Sequence, residues 1–382
     1  MEKIIIKKSS DNIRKELNSI GFDSSYIDTA KDKYSCETFK IFSLKPHEAN
    51  ILKQICLSLG FDCAVSRDTV TCKCDSTNAI ICANFSQYNK LIDKLKSQPF
   101  RLRQLSNELD NVINKPVKPI IINNYTFDWS RPYIMGILNV TPNSFSDGGK
   151  YINPQDAFNK AVEMVNDGAD IIDIGGESTR PNSAPVEPNE EISRIIPVIE
   201  LIRKNGITTP ISVDTRHYET ALASLEAGAD IINCTDMFAD TKLLQFVNND
   251  NIPSILMHSD KIPANSSDYT DKDVVEQVYI DLYNKLSEIS AENVIVDVGI
   301  GFGKSPDSCY ELLNRINEFK SLNKPILSGI SRKSFITKKF NISTDDADIP
   351  TALYSSILAK NGIQIHRVHN VKLLKDYFNY LF

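Results

Sequence analysis

A series of side chains spread through the later part of this sequence has the types that recognition chemistry needs. Asp214, Asn233, Asp297 and Lys333 combine acceptors with donors. That set suits a flat heterocycle with amino and carbonyl groups along one edge. Asn139, Thr179, Arg180, Arg367 and His369 are amide, hydroxyl and cationic groups, the kind that hold a phosphate. Together they suggest a phosphorylated heterocyclic substrate. Each residue alone has a plainer explanation. Asp214 is a good cap for the helix after it, and a lone His369 is as often a satisfied core histidine as a ligand. Their shared placement argues for a site, because each follows or ends a short apolar run.

Those runs read as strands: 133–140, 170–174, 211–214, 230–233, 253–258, 293–298, 325–329 and 364–368, apolar enough to be buried on both faces. Most are separated by helix-length intervals. An internal echo, NDGADIIDI at 166–174 and EAGADIINC at 226–234, has in each copy a helix ending at glycine and a buried strand following. Eight strand–helix units over about 250 residues are the arithmetic of a TIM (β/α)8 barrel, in which strand C-terminal ends carry the site. Residues 120–382 are assigned to it. IIINNYTFDW, two apolar runs about an Asn-Asn pair, predicts a hairpin just before the first barrel strand.

Residues 1–113 read as a smaller α/β domain, joined by a proline-containing linker at 114–119. Strands are expected at 3–7, 39–44, 63–74 and 79–84, and helices at 11–20, 46–59, 86–97 and 104–113. No catalytic motif stands there. Six of the eight cysteines fall between Cys36 and Cys82, without paired C-x-x-C spacing and with only His47 nearby, so reduced structural thiols are expected rather than a metal site.

The chain has 382 residues with 41% apolar and 24% charged residues, an ordinary globular composition. Its net charge of -6 argues against a nucleic-acid or membrane-surface partner. No apolar run approaches the ~20 residues that span a bilayer. A cytoplasmic protein is expected. GIGFGKS at 299–305 tempts two other readings. A phosphate-binding P-loop needs glycine where Val298 stands, and a dinucleotide fingerprint belongs after the first strand of its unit, not the sixth.

NVTPNSFSDGG, GGESTRP, ISVDT, DVGIGFGK, GISRKS and RVH occur in order along residues 120–382. On these motifs the sequence resembles the dihydropteroate synthase family, pterin-binding enzymes of folate synthesis. The small N-terminal domain is similar to that of longer bacterial members. The resemblance implies transfer of a pterinylmethyl group from (7,8-dihydropterin-6-yl)methyl diphosphate to 4-aminobenzoate, with Mg²⁺. It places the pterin on Asp214, Asn233, Met257, Asp297, Phe302 and Lys333, of which Asp214, Asp297 and Lys333 would be catalytic. The diphosphate falls to Asn139, Thr179, Arg180, Arg367 and His369, and Mg²⁺ to Asn139 and Asp147. Phe145, Pro181 and Ser334 would line the aminobenzoate site. A homodimer is the expected assembly. Three positions depart from the family pattern: Asn143, Cys234 and Asn370 stand where aspartate is usual. The alternatives are a pterin-dependent methyltransferase on the same barrel, which needs no diphosphate site, and a non-catalytic pterin-binding protein.

Overall fold

The computed structural model describes residues 13–141, 153–177, 185–259 and 273–382. The chain divides into two compact units, Met1–Pro116 and Val117–Phe382.

The first unit runs α1 (Ile13–Ser19), α2 (Ile27–Ala30), β1 (Cys36–Leu44), α3 (Pro46–Ser58), β2 (Cys63–Val65), β3 (Thr77–Asn84), α4 (Phe85–Leu95) and α5 (Leu102–Asn114). Its antiparallel sheet has the order β1-β3-β2. β3 alternates buried and exposed residues, and Ile81 packs with Leu52, Tyr88 and Leu91 of the helices in one core. Pro46 opens α3, where a missing N–H costs nothing, and Glu48 accepts from the Lys45 N–H at 2.8 Å. The strand expected at 63–74 is corrected: it stops at Val65. Ser66 caps a 3-10 turn at Arg67–Thr69, and Cys72 sits at φ 52°. Short polar side chains there bond the local backbone in place of a ladder. The segment expected as a strand at 3–7 lies outside the described residues.

The second unit begins with the expected hairpin, β4 (Ile120–Ile122) paired with β5 (Tyr125–Phe127). Eight parallel strands then close into a barrel in sequential order: β6 (Tyr133–Asn139), β7 (Ile171–Gly175), β8 (Ile211–Asp214), β9 (Ile231–Cys234), β10 (Ser254–Met257), β11 (Val294–Asp297), β12 (Ile326–Ser328) and β13 (Ile365–Val368). Around them lie α6 (Pro154–Asn166), α7 (Pro188–Lys204), α8 (Tyr218–Glu226), α9 (Thr241–Asn249), α10 (Val274–Leu286), α11 (Pro306–Asn314), α12 (Ser334–Phe340), α13 (Asp348–Lys360) and α14 (Val371–Leu381). The fold is the TIM barrel expected from the alternation of strands and helices.

The repeated GAD segment has a structural cause. Gly168 and Gly228 take φ 97° and 109°, a left-handed helix end that side chains resist. The aspartate that follows ties strands together. Asp170 accepts the Ile134 N–H at 2.8 Å and pairs with Arg131 at 2.6 Å. Asp230 accepts the Ile211 N–H at 2.7 Å and pairs with Arg203 at 2.6 Å.

Period-two alternation sets what fills the barrel. Met135, Ile171, Ile231, Ile255, Ile295, Leu327 and Ile365 form one apolar layer, packed in the same cluster as Ile120, Ile122 and Phe127 of the hairpin. Full burial of such a side chain contributes about 1.5–3 kcal/mol, so this layer is a firm floor. Two residues further along the same strands stand Asp173, Asn233, Met257, Asp297 and Arg367. The polar layer is the next step above the floor.

Candidate functional site

Arg367 is the centre of that layer. Its Nε donates to Asp173 Oδ2 at 2.6 Å and its Nη2 to Asp214 Oδ2 at 2.8 Å. Asn233 Nδ2 also donates to Asp173, at 3.3 and 3.4 Å to the two oxygens. β7, β8, β9 and β13 thus meet in one charged network. Gly175 lies on the same rim: a Cβ there would make ordinary contacts, 3.5 Å from the Asp214 Cβ and 3.9 Å from Asn139 Oδ1.

Burial sets the electrostatics. It pushes the Asp214 carboxyl up to about 7, with Arg367 pulling it down and Asp173 adding to the rise. Burial also raises Asp297, which Lys333 holds back. Lys333 itself is lowered by burial to about 8, against the pull of Asp297. Its ammonium donates to the Ile300 carbonyl and lies 4.3 Å from the centre of the Phe302 ring. Asp297 Oδ1 accepts from the Gly299 N–H at 2.8 Å. Gly329 leaves room beside it, where a Cβ would come within 3.2 Å of Asp297 Oδ2. Desolvated acids and a desolvated amine on one barrel mouth mark a place where charge chemistry is tuned.

Past β12 and β13 stand hydroxyl, imidazole and guanidinium groups. Ser331 Oγ lies 2.9 Å from His369 Nδ1 and accepts from the His369 N–H at 3.2 Å. Arg332 pairs bidentately with Asp348 at 2.7 and 2.9 Å. A cavity of about 220 Å³ is bordered by the cationic or imidazole groups of Arg332, His369, Lys372 and Lys160 and by the carboxylates of Glu163 and Asp167. Asn370, one of the departures from the family pattern, caps α14 by accepting from the Leu373 N–H at 3.0 Å, as aspartate would, and also donates to Asp348 at 3.0 Å. Cys234, another, donates to Asp236 Oδ1 at 3.1 Å and accepts from the Phe238 N–H at 3.2 Å. Its family aspartate is replaced by a buried thiol facing the helices.

Of the residues expected from sequence, the structure brings Asp214, Asn233, Met257, Asp297, Phe302, Lys333 and Arg367 to one end of the barrel. Arg367, grouped with the oxyanion set by its strand-end position, is bonded to Asp214 of the heterocycle set and to Asp173, which belongs to neither set. Asn139 ends β6 on the same rim. Ser334 is exposed at the start of α12. Asn143, Phe145, Asp147, Thr179, Arg180 and Pro181 lie outside the described residues. Glu177, which follows β7, holds Arg216 at 3.0 and 3.1 Å and accepts from the Val186 N–H at 3.0 Å, so it ties the start of the segment leading into α7 to the exit of β8. Sequence reading passed over Asp173. The signal in the sequence was an acid inside the apolar run IIDIG; the structure shows it fully buried.

Of the two residues expected to hold Mg²⁺, a hard cation that takes oxygen ligands, Asn139 offers one amide oxygen at the end of β6, and Asp147 lies outside the described residues. Among the described residues no group of three or more His, Cys, Asp and Glu gathers into a metal site.

Fold and site together define a (β/α)8 barrel with a buried polar cluster at the strand C-terminal ends. The family model described as pterin binding enzyme matches residues 135–369, and the chain belongs to that family. A probable bifunctional folylpolyglutamate synthase/dihydropteroate synthase of Halobacterium salinarum is 37% identical over 337 residues, covering 86% of this chain and 40% of the relative. That match extends beyond the barrel into the N-terminal unit. The chain spans about 40% of the length of the archaeal relatives it matches. The dihydropteroate synthase of Escherichia coli is 39% identical over 253 residues, covering 65% of this chain and 89% of the relative. A Yersinia pestis dihydropteroate synthase, solved with a sulfonamide drug complex, superposes with a TM-score of 0.64 at 35% identity, covering 69% of this chain and 98% of that one. A Xanthomonas albilineans enzyme in complex with 7,8-dihydropteroate gives 0.61 at 30% identity, covering 69% and 97%.

Proposed function

We propose that this chain is a dihydropteroate synthase, joining (7,8-dihydropterin-6-yl)methyl diphosphate to 4-aminobenzoate and releasing pyrophosphate. The observation that carries the proposal is the buried layer Asp173–Arg367–Asp214–Asn233, with Asp297 and Lys333 beside it, in a barrel similar to enzymes solved with 4-aminobenzoic acid and with 7,8-dihydropteroate.

The pterin's ring N–H and amino groups donate to Asp214 and Asp297, and its carbonyl side accepts from Lys333 and Asn233. In the reaction the bond between the pterin methylene carbon and the diphosphate oxygen breaks, and its electron pair leaves with pyrophosphate. Positive charge grows on the methylene and into the ring, where the ionised Asp214 and Asp297 stabilise it from fixed positions. The lone pair of the aminobenzoate nitrogen forms the new C–N bond, and the amine proton passes to the medium. Arg332, Ser331 and His369 would hold the leaving group. Mg²⁺, placed with Asn139 and Asp147, would neutralise charge on the departing diphosphate. A methyltransferase on the same barrel would not call for that basic cluster past β12 and β13.

The active form is a cytoplasmic homodimer. Ile349, Leu353 and Ile357 are 62%, 52% and 49% exposed on α13. Their four-residue spacing makes one apolar stripe, which supports a self-associating face.

Calorimetric titration with the pterin alcohol tests the binding half of the proposal. One site per chain is expected, with affinity lost in Asp297→Asn and in Asp214→Asn. Tight binding that neither substitution alters would overturn it.

A further inference from the structure

The GFGK motif carries a buried lysine that the proposed reaction does not use. Lys304 is 8% exposed. Its ammonium donates to the Gly299 carbonyl at 2.9 Å and the Phe302 carbonyl at 3.1 Å, and lies 2.9 Å from His258 Nδ1. Because the ammonium donates, Nδ1 accepts and the imidazole proton sits on Nε2, which faces Asp281 Oδ2 at 3.4 Å. Gln277 Nε2 steadies that carboxylate at 2.9 Å. A polar chain therefore runs from the loop after β11, through the residue that follows β10, to α10.

The loop it holds is the wall against which Lys333 rests. Ile300 supplies the carbonyl that accepts from Lys333, and the Phe302 ring lies under its ammonium. A Cβ at Gly301 would stand 2.7 Å from Lys333 Cδ. The loop is also pressed against His258 through its backbone: a Cβ at Gly299 would lie 1.7 Å from the His258 carbonyl oxygen. Two of the carbonyls fixed by Lys304, those of Gly299 and Phe302, bracket the Ile300 carbonyl that fixes Lys333.

We propose that Lys304, seated on His258, is a positioning residue. It sets the 299–303 loop so that the Ile300 carbonyl and Phe302 ring hold Lys333 in place for the pterin. The motif that resembles a phosphate-binding loop is then a buried strut, its lysine donating to the loop's own backbone carbonyls. Misplacing a recognition group by about 1 Å costs up to ~10²-fold, so the strut acts on the pterin without touching it.

This inference rests on the pterin-binding reading above, and its test separates the two. The full chain is titrated with the pterin alcohol as wild type, Lys304→Met, His258→Leu and His258→Asn, and KM and kcat are measured for both substrates. Asparagine keeps an acceptor near the position of Nδ1, and leucine does not. Lys304→Met and His258→Leu should each weaken pterin binding at least about tenfold and raise KM for the pterin diphosphate in step. KM for aminobenzoate should stay within about twofold, and His258→Asn should recover most of the loss. A folded Lys304→Met chain with wild-type pterin affinity would overturn the inference. If Lys304→Met does not fold, the histidine pair decides: equal affinity in His258→Leu and His258→Asn sinks the idea. A wild-type chain that fails to bind the pterin at all would overturn the reading on which this one rests.

Discussion

Arg367→Gln is the most informative single substitution in the barrel. Arg367 is shared between Asp173 and Asp214 at 2.6 and 2.8 Å, with Asp173 fully buried. Removing one partner of a buried ion pair costs about 3–5 kcal/mol, because the charges left behind have no compensation. For a domain of this size that is a fall in melting temperature on the order of 10 °C. A second effect follows from the electrostatics. Arg367 is the largest influence holding the Asp214 carboxyl down, so its loss moves that carboxyl above about 7. A protonated Asp214 no longer accepts two hydrogen bonds from the pterin. Affinity for the pterin alcohol at pH 7 should therefore fall at least tenfold, about 1.4 kcal/mol, although the alcohol carries no phosphate. Calorimetry with the alcohol and with the diphosphate, alongside a melting curve, reads all three effects. Unchanged stability and alcohol affinity, with loss confined to the diphosphate, would refute the triad and return Arg367 to the leaving group alone.

Other perturbations follow from the same geometry. The kcat/KM for the pterin diphosphate should be bell-shaped with pH. It should rise as Asp214 ionises near 7 and fall as Lys333 loses its proton near 8; Asp214→Asn should remove the acid limb, and a flat profile in the wild type would contradict the assignment. Leu353→Glu places a charge in the α13 stripe and should shift the mass measured by light scattering from dimer to monomer, with pterin affinity unchanged; a dimer that survives it has its interface elsewhere. A chain beginning at Val117 should keep aminobenzoate-dependent turnover within about threefold of the full chain, since every site residue lies in the second unit. A folded but inactive truncation would make the N-terminal unit part of the enzyme.

Much of the barrel was legible because its strands are short apolar runs, two of them preceded by a recognisable helix-ending glycine. Gly168 and Gly228 end helices in the left-handed region, and the aspartate after each ties neighbouring strands. The Cys63 segment misled because cysteine and valine look like strand residues, while Ser66 and Asp68 take the backbone into a turn. At the site, reading only strand ends found Asp214, Asn233 and Asp297 but missed Asp173, which sits inside β7. Its importance depends on partners that are far away in sequence. Arg367 is 194 residues from Asp173 and 153 from Asp214, and no local pattern announces that they meet. The GFGK lysine was similarly opaque. Its spacing excluded a phosphate loop, but its seat on His258 exists only once β10 and β11 lie side by side.

The central claim is that this barrel mouth makes a C–N bond at the expense of a diphosphate. The direct measurement is incubation of the chain with the pterin diphosphate, 4-aminobenzoate and Mg²⁺, following pyrophosphate release and dihydropteroate together. Equal amounts of the two products are expected, with neither formed when aminobenzoate is omitted. A chain that binds the pterin diphosphate but yields no pyrophosphate with aminobenzoate present would contradict the account.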